Sequence, residues 1–257
     1  MAARRTKWHH RLLGTVEQRR RWRDIVLRRL GLARSHVPME LVRRRGWQQP
    51  NVVRALAADI LLSQGTLSFV QVGAFDGTSE DDLTRLLPLG QVEGVLVEPQ
   101  PEPFEQLQSR FANNTGLRLV NAAIAAERGE REFFRPRWGA SRLASFDRGN
   151  LLRHGVAADD IQSSPVRCLP LDDVLAESGL KRLDVLQIDA EGHDLAVLAT
   201  LDLDRWQPNI IRLEYLHTDS RKLDVCIAVL AEKRYQFLVQ SRDLVAVRPI
   251  LSARQAA

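Results

Sequence analysis

Apolar residues recur along this chain with two different periods. Between residues 17 and 31, Trp22, Ile25, Val26 and Leu30 form one stripe among arginines, the spacing of an amphipathic helix, and Gly31 would end it. Pro38, Gly46 and Pro50 break residues 34–50 into a linker. A second helix is predicted over residues 51–64, where Val52, Val53, Leu56, Ile60 and Leu61 share a face. From residue 68 the pattern changes to short apolar runs: Phe69–Val72, Val92–Val97, Leu117–Val120, Leu183–Ile188 and Ile210–Leu213, followed by the weaker Tyr235–Val239 and Leu244–Val247. Helical stretches separate them, which predicts βαβ units around a parallel sheet, an α/β fold. Residues 130–170 interrupt the rhythm and are long for a crossover, so they are expected to carry substrate-facing material. Their aromatics Phe133, Phe134 and Trp138 either wall an acceptor or pack beneath the insertion.

Charge divides the chain where the pattern does. The whole carries a net +5. The first 50 residues hold 14 Lys and Arg against three acids, a net +11, and the other 207 hold 23 basic and 29 acidic residues, a net −6. The expected organisation is a basic helical arm and linker over 1–50 and a mildly acidic catalytic body over 51–257. The arm invites contact with nucleic acid or a peripheral anionic membrane surface. No run approaches the ~18 apolar residues of a membrane span, and no apolar core follows the basic N-terminus as in a secretory signal. Two cysteines, Cys168 and Cys226, cannot build a metal cage or a disulfide framework. A cytoplasmic protein is expected. Oligomeric state is not legible.

The string FVQVGAFDGTSED, from Phe69 to Asp81, runs a strand into a turn. Gly73 and Gly77 free its backbone, and Ser79 is placed to cap a helix whose first turn holds Glu80, Asp81 and Asp82. The next strand ends at Glu98, 25 residues after Gly73, where an acid can accept both hydroxyls of a ribose. Asn121 closes the third strand, where an amide can meet an adenine edge. A dinucleotide would need bare backbone where Asp76 stands, and three acids would repel its pyrophosphate. A cationic sulfonium with an ammonium group suits the same turn, which favours S-adenosylmethionine over NAD. A turn that merely needs two glycines is the plainer alternative.

FVQVGAFDG, LVEPQP, NAAIA and LPLDDVLAESGLKRLDVLQIDAEGHDLAVL together resemble the FkbM-type methyltransferases over about residues 66–217, most specifically at Leu186–Leu198. The resemblance implies a class I, Rossmann-like doubly wound sheet of seven strands with the last antiparallel. It also implies O-methylation of a saccharide or small natural product from S-adenosylmethionine. Carried over residue by residue, the cofactor positions are Gln71, Gly73, Ala74, Asp76, Gly77, Ser79, Glu98, Pro99, Asn121, Ala122 and Asp189. Gln71 departs from the pattern, which has an acid there, so either Asp76 or a water-bridged Gln71 would hold the cofactor's amino group.

An alcohol is a poor nucleophile while protonated, so methyl transfer gains from a base at the carboxyl ends of the central strands. Strand Leu183–Ile188 ends in Asp189, Glu191, His193 and Asp194, and strand Ile210–Leu213 ends in Glu214, Tyr215 and His217. The expected catalytic set is Asp189 near the methyl group, His193 as base or orienter, and Glu214 holding the histidine or the acceptor hydroxyl. Alternatively, Asp189 caps the following helix and His193 is a solvated helix residue. A divalent metal on Asp189, Glu214 and His217 would be a further route. No N-P-P-Y tetrad stands after the fourth strand and no Pro-Cys follows it, which disfavours amide, adenine and pyrimidine C5 chemistry. An RNA methyltransferase clamped by the arm is the second functional expectation.

Overall fold

The structure is a computed structural model and describes residues 51–78, 83–215 and 218–248, together with the backbone of a strand at 32–34. The helix predicted over 17–31, Ser79 and His217 lie outside the described residues.

Helix α1 (Val52–Gln64) begins where Asn51 Oδ1 accepts the Arg54 amide and ends at Gly65 in the left-handed region. Val53, Ala57, Ile60 and Leu61 form its buried stripe. Strands follow in chain order: β1 (Leu32–Arg34), β2 (Thr66–Val72), β3 (Gln91–Val97) and β4 (Leu117–Val120). Then come β5 (Ala123–Ile124), β6 (Gly129–Pro136), β7 (Ile161–Leu169), β8 (Val185–Ile188) and β9 (Ile210–Glu214), and finally β10 (Gln236–Gln240) and β11 (Asp243–Val247). The remaining α-helices are α2 (Pro101–Arg110), α3 (Arg148–Arg153), α4 (Leu171–Ser178), α5 (Asp194–Leu198) and α6 (Ser220–Glu232).

The main sheet has the order β1-β10-β11-β9-β8-β2-β3-β4. Strands β4, β3, β2, β8 and β9 are parallel, and β11 runs antiparallel to both its neighbours. This is the doubly wound, Rossmann-like sheet with an antiparallel last strand that the sequence led us to expect. The eighth strand is the addition: β1, from within the basic arm, pairs in parallel with β10.

Both faces of this sheet are covered, which is why its strands read as continuous apolar runs. Val70, Val72, Val95, Leu186, Ile188, Ile211 and Leu213 pack with α4 and α5 on one face. Leu67, Phe69, Leu96, Val185, Ile210 and Val245 pack with α1 on the other.

Three departures from the predicted pattern have local causes. Strand β2 starts at Thr66, three residues earlier than its apolar run, because Thr66, Leu67 and Ser68 continue the register against Gln91–Glu93. Between the turn and β3 the described residues hold a 3-10 helix, Thr84–Leu89, instead of an α-helix. Pro88 inside it and Gly90 after it leave no room for a longer one. The 130–170 interruption is a second sheet, ordered β5-β7-β6, with α3 in its connection.

Asp184 joins the sheet below β8. It is 2% exposed. One oxygen accepts the amide and hydroxyl of Ser68 at 2.8 and 2.9 Å and pairs with Arg182, and the other accepts Asn209 Nδ2 at 3.1 Å. Removing the carboxylate would strand several buried donors. Asp184→Ala is therefore expected to cost about 3 kcal/mol in denaturant unfolding. A loss within ~0.5 kcal/mol, the range of neutral surface changes, would contradict this.

Candidate active site

The site lies at the carboxyl ends of β2, β3, β8 and β9. Strand β2 leaves the sheet at Gly73, whose φ is +79°. A Cβ there would overlap the Asp189 carbonyl oxygen. Glycine is thus required by the neighbouring strand tip, before any ligand is considered. Gly73 and Ala74 donate their amides to Val97 O, and Asp189 donates to Val72 O. The tips of β2, β3 and β8 are thereby held to one another.

Phe75, at φ +48°, points its amide at Glu98 Oε2 at 3.0 Å. The other oxygen of Glu98 accepts Gln100 N at 2.8 Å and Gln100 Nε2 at 3.3 Å. Burial pushes the Glu98 carboxyl up to about 7, against the pull of Gln100, Phe75 and Arg142. The Gln100 side chain makes a reciprocal pair with the insertion: Nε2 donates to Ser141 O at 3.0 Å, and Oε1 accepts Ser141 N at 2.9 Å.

A cavity opens between these elements and the second sheet. Gly73, Glu98, Pro99, Ala122 and Asp189 line it, as do Phe75, Arg142, Phe133, Phe146 and His193. Of the expected cofactor positions, the structure brings the first five together there. It places the other described ones elsewhere. Gln71 is buried on the α1 face with Oε1 unpartnered, and Ala74 lies in the same core. Asp76 folds back to accept the amide and hydroxyl of Thr78 at 2.9 and 2.7 Å. Partial burial would raise its carboxyl, but Thr78, Arg142 and Arg110 together hold it below the usual range. Gly77 packs against Leu107 and Phe111. Asn121 spends its Nδ2 on the carbonyls of Glu98 and Pro99 and lines a small separate cavity beside Arg118 and Glu177.

A second cavity, of about 570 Å³, adjoins the first and is markedly polar. Its walls are Arg212 and Glu214 from β9, the turn Gln240–Asp243, and Asn51 and Val53 at the start of α1. Arg142, Asp189 and Glu191 line both cavities. Glu191, at φ +50°, is tied to the insertion, since Ser145 Oγ donates to its carbonyl at 3.1 Å.

Asp189 therefore stands at the junction, with His193 on the first cavity and Glu214 on the second. Helix α5 is capped at the His193 position, not by Asp189, and His193 makes no side-chain cap. Its ring is half-buried against Phe146, centroids 5.1 Å apart. Burial, with Arg131 and Lys222 nearby, lowers its pKa, so the ring is neutral at pH 7. Among the described residues no group of three or more His, Cys, Asp or Glu is placed to hold a metal ion. Phe133 lines the first cavity and packs edge-on to Phe146, Phe134 packs against Leu151 and Ile161, and Trp138 is 67% exposed. Sequence reasoning missed Arg142, Phe75 and Phe146. Only the position of Phe75 between two turn glycines could have signalled one of them.

Beneath Asp189 and Glu214 lies Asp194, which is 0% exposed. Its Oδ1 accepts the Glu214 amide at 3.0 Å, and its Oδ2 has no partner. Burial, then the charge of Asp189 and, more weakly, of Glu214, push its carboxyl up to about 8.

These features define a class before any comparison: a doubly wound sheet carrying a ligand cavity across the tips of its first strands, with an acid on the second. The Methyltransferase FkbM domain model matches residues 71–242, and the chain belongs to that family. No curated protein matches it. Among solved structures, it is similar to the methyltransferase FkbM of Methylobacillus flagellatus KT, 14% identical, TM-score 0.47. The match covers 71% of this chain and 44% of that one, so the chain spans less than half of that relative's length. It is also similar to the precorrin-6y C5,15-methyltransferase of Geobacter metallireducens GS-15, 15% identical over 82% of this chain and 95% of that one, TM-score 0.41. A third is the N-terminal domain of human METTL16 in complex with SAH, 13% identical over 87% and 78%, TM-score 0.40.

The Asp194 carboxyl supplies a stability test with a fixed sign. Its pKa is raised in the fold, so between about pH 4 and pH 8 the native state holds a proton that the unfolded chain has lost. Stability from this group is full below that window and falls as pH rises through it, by up to about 1.4 kcal/mol per pH unit. Asp194→Asn should gain thermal stability relative to wild type as pH goes from 5 to 8. A difference that stays constant with pH would refute the assignment.

Proposed function

We propose that this chain is an S-adenosylmethionine-dependent O-methyltransferase acting on a hydroxyl of a saccharide or small natural product. The observation that supports this is the shared wall: Arg142, Asp189 and Glu191 line both a cavity with apolar walls and a polar one. The residues of the first cavity fit the cofactor. Glu98 offers a carboxylate to ribose hydroxyls, Phe133, Phe146 and Ile124 offer apolar walls to adenine, and Asp189 and Glu191 suit positive charge. When bound, the cofactor supplies an electrophilic methyl group on a sulfonium.

The chain's own residues do the rest. Asp189 and Glu214 hold the acceptor hydroxyl at the junction, where alignment contributes much of the rate. A neutral His193 ring nitrogen takes the proton that the hydroxyl gives up. Packing of the ring against Phe146 keeps it in the cavity wall. The polar lining of the second cavity, with Gln240, Arg242 and Asp243, suits a polyhydroxylated acceptor. No described helix is long and apolar enough to cross a membrane. We place the enzyme in the cytoplasm, where the cofactor is made.

A second reading follows from the +11 of residues 1–50. In it the arm grips RNA, and the body methylates it. Fluorescence anisotropy with single-stranded RNA tests this, with a log–log salt slope near −0.7 per neutralised phosphate expected if the arm is a clamp. Binding to anionic vesicles but not to RNA would assign the arm to a membrane surface instead.

The primary reading is tested by calorimetry on the full chain. S-adenosylhomocysteine is expected to bind and NADH is not. Glu98→Ala should weaken S-adenosylhomocysteine by about 10- to 100-fold, the worth of charged hydrogen bonds to two hydroxyls. Binding of NADH without S-adenosylhomocysteine would overturn the assignment.

A further inference from the structure

We propose that Arg142, supplied by the insertion, holds the carboxylate of the cofactor's amino-acid moiety. This rests on the cofactor assignment above and extends it to a residue outside the glycine turn and the strand tips.

The first observation is one of charge. S-adenosylmethionine carries two cationic groups and one anionic group at its amino-acid end. The acids Glu98, Asp189 and Glu191 in the cavity wall suit the cations and the ribose, and none of them suits a carboxylate. Arg142 is the only lysine or arginine lining this cavity among the described residues. The one other basic side chain there, His193, is neutral at pH 7.

The second observation is an unmet donor. Arg142 Nη2 is buried and has no hydrogen-bond partner. A buried charged donor without an acceptor is costly, and native structures rarely keep one without a use. Glu98 and Asp76 are both close enough to feel the guanidinium, but neither accepts a hydrogen bond from its Nη2. Nη2 thus has capacity to spare beside the cavity that Arg142 lines, in a planar fork that matches a carboxylate.

The third observation is that this arginine is held in place. Its guanidinium carbon lies 4.9 Å from the centroid of the Phe75 ring. The preceding residue, Ser141, is fixed to Gln100 by two reciprocal hydrogen bonds. Arg142 also lines the polar cavity, which puts it at the end of the cofactor cavity nearest the junction. That is where the amino-acid end of the cofactor must lie if Glu98 takes the ribose and Asp189 stands near the methyl group.

The test compares S-adenosylhomocysteine with its decarboxylated analogue, which keeps the ammonium and loses only the carboxylate. Calorimetry uses the full chain. Wild type should prefer S-adenosylhomocysteine by about 10- to 100-fold, the worth of one or two charge-assisted hydrogen bonds. Arg142→Gln should lose that preference while binding the decarboxylated analogue as wild type does. Arg142→Lys keeps the charge without the fork or the stack, and should retain only part of the preference. If the glutamine variant does not fold, the wild-type comparison and the lysine variant still decide the matter. Equal affinity of wild type for the two ligands would overturn the proposal and leave the cofactor assignment intact. So would a full preference in either variant. Failure of wild type to bind both ligands would instead overturn the cofactor assignment itself.

Discussion

Strands β2 and β8 can come together at their tips only because residue 73 has no side chain. The Asp189 carbonyl occupies the space a Cβ would need, and the Asp189 amide donates to Val72 O while Gly73 donates to Val97 O. Three strand ends are thus locked within a few residues of one another. Everything at the site hangs from this contact. It sets Phe75 in the left-handed region, aims its amide at Glu98, and leaves Asp189 facing two cavities at once. A glycine chosen for close approach to a ligand and one chosen for close approach to a neighbouring strand look identical in a sequence. Here the protein contact is sufficient reason for it, and the ligand cavity is what the contact creates.

The same geometry concentrates carboxyl groups in poorly solvated ground. Glu98 and Asp194 are both buried and both pushed upward, but they differ in what compensates them. Glu98 accepts hydrogen bonds at both oxygens and has Arg142 close by. Asp194 accepts one from the Glu214 amide, and its nearest charges are the like charges of Asp189 and Glu214. A group in that position is most stable as the neutral acid. The consequence for chemistry is that two carboxylates, Asp189 and Glu214, share the junction without a third charge beneath them. On the proposed reading, His193 on the adjoining wall, its pKa lowered by burial, completes a set in which proton acceptance is divided among groups with different environments.

The sheet was legible because its strands are buried on both faces and so read as apolar runs with helices between them. The run Leu117–Val120 matches β4 residue for residue. Ser68, a polar residue of the core, hid the true start of β2, and the run expected for β8 passed through Asp184 to begin two residues early; hydrogen bonding to each other satisfies both side chains. At the site, Gly73, Glu98, Pro99, Ala122 and Asp189 stood out because each sits at a strand end, a place that sequence period can locate. Asn121 sits at one too. Its amide is consumed by backbone carbonyls of Glu98 and Pro99, a local choice that no periodicity reveals. The turn that Asp76 closes by accepting from Thr78 is likewise a local arrangement that periodicity does not reveal.

Arg142 and Phe146 were beyond sequence reasoning for a different reason. They come from the connection that follows β6, a strand of the three-stranded sheet exposed for its first four residues, so its alternation is weak and its pairing with β7 is non-local. Yet this sheet supplies one wall of the cofactor cavity and, through Ser141 and Ser145, is tied to both Gln100 and Glu191. A positive charge is thereby brought from the insertion to a body that is itself acidic by six units. On the proposed reading, the strand tips keep their carboxylates for the cationic and hydroxyl-bearing parts of the cofactor, while Arg142 meets its one anionic part.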